Sequence, residues 1–275
     1  MPAATHRPPS TSVAALLEQP ATDDWQSSLD QIRRALLLEP LPSATAETSS
    51  EHKVLWKLLL RMHVAPGLET DSVHPLLQAA EYIRLIDKGP SAMLDKIKED
   101  ASRTFATDKF FAESIEPEAI IRVLEAFVWR TEERQASSGL QCTTAYVQGM
   151  NVLAATFLHV TRNEVEAFAC LTTMVEQLAP RYFVLSLDGV HDGLELVDRC
   201  LELLDPELFR FLREHAINAE LCAFATVLTF SASTPPLIEV VALWDFLLAW
   251  GVGLNVLCVV AQLSLAREEL MGSAV

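Results

Sequence analysis

Along most of this chain, apolar residues recur three and four positions apart, the spacing that lines one face of an α-helix. The pattern runs through residues 53–63, 74–87, 117–130, 151–160, 164–178, 190–204, 206–215, 218–231, 236–250 and 254–267, and strict strand-like alternation hardly occurs. Helix starts carry the expected punctuation: Ser91 before Met93, Glu116 and Pro117 before Ile120, Asn163 before Val165, Asp205-Pro206 before Leu208, and Pro235-Pro236 before Leu237. An all-α fold follows. No unit of repeat length recurs, which excludes a solenoid of identical repeats.

Residues 1–24 differ: Pro2, Pro8, Pro9 and Pro20 stand among Ser, Thr and Ala, and no apolar face persists for two turns. They are expected to be a flexible tail. From Trp25 the spacing predicts a short amphipathic helix ended by Pro40 and Pro42, then a polar linker, with a single folded domain spanning 25–275. Phe246 to Ala266 is uncharged and long enough to span a bilayer. Gly251 and Gly253 break it, however, and Gln262 and Ser264 suit lipid poorly, so it reads as two buried helices with Asn255 capping the second.

Composition adds two exclusions. Half the residues are apolar and 21% are charged, which is the balance of a folded chain. A formal charge of −16 repels phosphate backbones and anionic lipid, which excludes a general nucleic-acid binder. Cys142, Cys170, Cys200, Cys222 and Cys258 form no metal-ligand pair and read as reduced, mostly buried thiols of an intracellular protein. The N-terminus shows no secretory or mitochondrial address. None of the histidines falls at ligand spacing, His159 reads as a core imidazole, and no metal is assigned.

The common catalytic signatures are missing: there is no Gly-rich loop ending in Gly-Lys, no GxGxxG, no GxSxG and no HExxH. Two segments nevertheless stand out. In Lys96–Asp108, Ile97 anchors inward while Asp100 and Arg103 share a helix face, so a carboxylate can steer a guanidinium. In Tyr146–Asn151, Tyr146 and Gln148 alternate onto one side, Gly149 permits close backbone approach, and Asn151 is placed to cap the following helix. By spacing alone, Asp100 and Arg103 are more often a surface ion pair, and Gln148 more often a local backbone-bonding residue. A glutamine and an arginine are also the two groups that GTP hydrolysis needs, one to orient water and one to neutralise developing phosphate charge.

With those residues in view, Ile97-x-x-Asp100-x-x-Arg103 followed by Tyr146-x-Gln148 resembles the paired finger motifs of TBC-domain GTPase-activating proteins, which act on Rab-type small GTPases. The resemblance implies a two-lobed helical domain in which Arg103 enters beside the phosphates and Gln148 replaces the GTPase's own glutamine. Asp100 then holds the arginine and Tyr146 supports the glutamine. Leu243-Trp244-Asp245 before Gly251 is similar to the family's Trp-Asp motif, and Trp56 resembles its early tryptophan. The stretches DASRTFATD, YVQGMNVLAA, DPELFRFL and PLIEVVALWDFLLAWG resemble the fungal mitotic-exit and septation checkpoint branch. That branch implies a Ras/Rab-like partner GTPase, a large scaffold subunit, and a cytoplasmic place at the spindle pole body. GTP and its Mg ion would be held by the GTPase, with no cofactor on this chain.

Departures from the family pattern set three further expectations. His52 stands where arginine is usual, and Ala242 replaces a basic residue two before Trp244, so two structural ion pairs are expected to be lost. The chain closes with AREELMGSAV where the family continues through further helices, so the C-terminal lobe is expected to be incomplete and to bare an apolar patch. The competing functional reading is a non-catalytic helical scaffold whose acidic surface docks the GTPase or a checkpoint partner.

Overall fold

A computed structural model of the protein describes residues 12–17, 25–42, 49–60, 75–105, 111, 115–138 and 146–272. Among them the chain is helical, without a β-strand. The first half comprises α1 (Val13–Leu17), α2 (Trp25–Leu38), α3 (Ser49–Leu59), α4 (Pro75–Ile86), α5 (Leu94–Arg103), α6 (Pro117–Ser138), α7 (Met150–Thr161) and α8 (Glu164–Thr173). The second comprises α9 (Asp188–Leu204), α10 (Pro206–Glu214), α11 (Ala219–Leu228), α12 (Leu237–Trp250), α13 (Asn255–Leu265) and α14 (Arg267–Gly272).

Local chemistry sets several of these boundaries. Asn163 accepts from the amides of Val165 and Glu166, and Asp205 accepts from Leu208 with Pro206 following, so α8 and α10 start where the sequence marks them. Ser91 Oγ accepts from the amide of Met93 at 3.1 Å while both Ser91 Oγ and its amide donate to buried Glu125, which anchors the approach to α5 onto α6. The helix expected over 164–178 is α8 to Thr173 and continues as a single π-turn, Met174–Leu178.

In the first lobe α6 and α7 lie centrally, with α4, α5 and α8 around them and α3 against α7. In the second, α9 packs on α10, α11 and α13. Helix α12 returns to pack on α2, α3 and α7, so the lobes share one core. At that junction Trp56, Phe157 and Trp244 form an aromatic cluster, with ring centroids 5.1 to 5.8 Å apart.

Four sequence expectations need correction. Most of the stretch read as a tail lies outside the described residues, but Val13–Leu17 forms α1, packed on α2 and α3 with Val13 buried. Asn255 does not cap α13 by its side chain. It is buried, donates to the carbonyl of Thr226 and faces Ser231 Oγ at 2.6 Å, tying α13 to the end of α11. Of the described cysteines only Cys170 is fully buried, and Cys222 is exposed; Cys142 lies outside the described residues. The loss of the first ion pair does not occur either, because His52 Nδ1 lies 2.9 Å from Asp245 Oδ2 in the core.

The uncharged stretch 246–266 spans the end of α12, a short 3₁₀ turn at Val252–Leu254, and α13. Among the described residues no helix is long and apolar enough to cross a membrane. Helix α13 buries Val256, Val259 and Val260 and leaves Leu257 and Leu265 exposed.

Candidate functional site

Helix α5 is amphipathic over its whole length. It buries Ile97, Asp100 and Ala101 against α6 and α7 and ends with Arg103 at the rim. A cation there meets the negative end of the helix dipole. The Arg103 side chain is 59% exposed, with Nη2 3.0 Å from Asp100 Oδ1 and Nη1 3.5 Å from Glu99. The pair expected from the spacing therefore forms, and its carboxylate partner is fixed from behind. Tyr146 OH donates to the other Asp100 oxygen at 2.8 Å. Burial, then that hydrogen bond and the Asp100 charge, push the Tyr146 phenol far above its ordinary pKa, so it stays a neutral donor.

The expectation that Tyr146 and Gln148 point to one side is corrected. Tyr146 is buried against Asp100, whereas Gln148 sits in a turn and faces solvent. Gly149, next in the turn, has a φ of +104°, which is open to glycine and strained for other residues. A Cβ there would stand 3.2 Å from Leu228 Cδ2 and 3.3 Å from Thr229 Cγ2, so the turn rests directly on the end of α11.

Asn151 is not the cap of α7 that the sequence suggests. Gly149 holds the cap position, and Asn151 lies inside the helix, buried. Its Oδ1 accepts from the amide of Gly149 at 3.0 Å, while Nδ2 donates to Thr104 Oγ1 at 2.8 Å and to the carbonyl of Asp100 at 3.2 Å. Thr104, one residue past Arg103, escaped the sequence reading. Its position four residues after Asp100 was the available signal, and its hydroxyl donates to the Asp100 carbonyl at 2.9 Å.

Trp244 and Asp245 belong to the support rather than to the rim. Trp244 donates to the carbonyl of Phe230 at 2.9 Å, bracing the connection that follows Leu228 and Thr229. Asp245 accepts from Trp56 Nε1 at 2.6 Å and pairs with His52. Burial raises the pKa of the Asp245 carboxyl, with the His52 and Trp56 contacts pulling it back. Burial lowers that of His52, but the bond and charge of Asp245, with the Pro42 carbonyl and Glu51, outweigh it and raise it overall.

An all-helical domain thus presents an arginine and a glutamine at its surface over one buried hydrogen-bonded support. The Rab-GTPase-TBC domain family model matches residues 51–271, and the chain belongs to that family. It is similar to cell division control protein 16 of Schizosaccharomyces pombe, 36% identical over 92% of this chain and 77% of that protein. It is also similar to mitotic check point protein BUB2 of Saccharomyces cerevisiae, 34% identical over 96% of this chain and 84% of that one. In fold it is similar to the crystal structure of the Ypt/Rab-GAP domain of Gyp1p, with a TM-score of 0.67, 16% identity, and coverage of 93% of this chain and 84% of that one.

Proposed function

We propose that this protein is a GTPase activator that lends Arg103 and Gln148 to the active site of a Ras/Rab-like small GTPase. The observation that carries the reading is the contrast between exposed tips and buried supports: Arg103 and Gln148 face solvent, while Asp100, Tyr146 and Asn151 behind them are buried and bonded to one another. A hydrolytic site assembled between two proteins needs that contrast, because the groups must project and yet be fixed before the partner arrives.

The partner supplies GTP and its Mg ion; this chain supplies charge and orientation. Arg103 neutralises the charge developing on the transferring phosphate, and Gln148 orients the attacking water. Release of Arg103 from Glu99 is easy, since exposed pairs are worth about 0–1 kcal/mol. Asp100 stays behind the guanidinium as its guide. The division and checkpoint names of the relatives support a role in cell division. Restraint of mitotic exit or septation from the cytoplasm at the spindle pole body, with a scaffold subunit completing a two-component activator, rests on the motif resemblance alone.

The test is single-turnover hydrolysis by GTP-loaded small GTPases of the Rab and Ras types, with the scaffold subunit present and absent. Arg103→Ala is expected to abolish stimulation, a loss of about 10³-fold or more, while binding persists. Parallel loss of binding and activity counts against the finger role. Binding without stimulation by the unaltered chain replaces the activator with the scaffold reading.

A further inference from the structure

Asn151 and Thr104 use nearly all their hydrogen-bonding capacity on each other and on the backbone of the two candidate finger segments. The Asn151 carboxamide spans the gap. At one end Oδ1 takes the Gly149 amide, which fixes the turn carrying Gln148. At the other, Nδ2 reaches the Asp100 carbonyl and Thr104 Oγ1, which fixes the last turn of the helix carrying Arg103. The Thr104 hydroxyl closes the triangle by donating to that same carbonyl. Donor and acceptor roles are mutually consistent: the hydroxyl gives its single proton to the carbonyl and offers a lone pair to the amide. Both residues are buried, and at the last turn of a helix the final carbonyls have no partner within it.

We infer that Thr104 and Asn151 form a latch that sets the separation of Arg103 from Gln148, so that both are positioning residues for a site neither of them touches. The inference rests on the reading that the two exposed residues serve one GTPase. The latch differs from the Asp100–Tyr146 contact in what it holds. Asp100 and Tyr146 join side chains and leave the backbones free to slide. Asn151 clamps the backbone amide of one segment to a backbone carbonyl of the other, and the Thr104 hydroxyl selects the rotamer that reaches both.

Thr104→Val removes the hydroxyl at nearly constant volume, and Thr104→Ser returns it. In full-length protein with a GTP-loaded Rab-type GTPase, Thr104→Val is expected to lower the maximal single-turnover rate by about tenfold, the worth of one or two buried hydrogen bonds. The half-saturating concentration should stay near that of the unaltered chain, the melting temperature should fall only as far as the lost hydrogen bonds require, and Thr104→Ser should recover most of the rate. Combined with Arg103→Ala, the valine variant should cost nothing further. An unchanged rate in Thr104→Val overturns the latch, as does a fall in rate matched by weaker binding, or a serine variant no better than valine. Should the unaltered chain stimulate no GTPase offered, the activator reading fails on its own, and hydrogen exchange decides the latch. The Gly149 amide should exchange faster in Thr104→Val than in Thr104→Ser; equal rates overturn the inference.

Discussion

Replacing His52 by leucine tests how the two halves of the domain are joined. His52 is 1% exposed, with Nδ1 2.9 Å from Asp245 Oδ2 and Nε2 3.0 Å from the carbonyl of Pro42. Both partners are acceptors, so only the doubly protonated ring satisfies both nitrogens. Leucine leaves Asp245, itself 3% exposed, with the Trp56 indole as its remaining donor among these contacts, and strips the Pro42 carbonyl of its partner. Breaking a buried pair by removing one member costs about 3–5 kcal/mol, against a typical total stability of about 5–15 kcal/mol. Because the folded-state pKa of His52 is raised, its charge contributes fully below about pH 6.5, and the contribution is lost as pH rises through the folded value. Urea unfolding followed by tryptophan fluorescence between about pH 6 and about pH 9 should show His52→Leu protein less stable than the unaltered chain throughout, with the unaltered chain itself losing stability as pH rises. A gap between the two below about 1 kcal/mol refutes a charged His52–Asp245 pair.

Gly149→Ala should lower stability by about 1–3 kcal/mol through strain at positive φ and the close approach to Leu228 and Thr229, read as a shift in urea midpoint without a change in slope. The pKa of Glu166 is raised by burial but lowered overall by its bonds from Lys53 and Lys57, so its contribution exists above about pH 4.5 and is lost as pH falls. The paired substitutions Lys53→Met and Lys57→Met should therefore cost about 1–2 kcal/mol at neutral pH and progressively less in acid, followed by the same unfolding assay.

What the sequence disclosed and what it hid divide by the reach of the interaction. Asn163 and Asp205 cap the helices that follow them because a cap is a bond between residues two or three apart, visible in the spacing. Asn151 and Asn255 stand at the same kind of place, yet their amides are drawn to Asp100, Thr104 and Gly149 in one case and to Thr226 and Ser231 in the other. Gly149 is local to Asn151, but Asp100, Thr104, Thr226 and Ser231 lie on other segments, and no local rule announces them. The pairing of Asp100 with Arg103 was legible from three-residue spacing; the buried position of Tyr146 beneath it was not, because it depends on how α5 and α7 meet. The His52–Asp245 pair spans most of the chain, so a substitution at position 52 looked like a loss when the imidazole in fact fills the role.

The seat of Gly149 on the end of α11 makes the glutamine turn a dependant of the second lobe, while the arginine helix packs on α6 and α7 of the first. Local fraying of α11, or of the Phe230 connection that Trp244 braces, would remove the seat under the Gln148 turn and leave the Asn151–Thr104 contacts as its hold on the arginine helix. On the proposed reading, a rate that requires both Arg103 and Gln148 is then also a gauge of assembly: a chain whose second half has loosened misplaces the glutamine and falls silent. Activity so read is coupled to folding integrity across the molecule, through α11 and the Trp244–Phe230 contact.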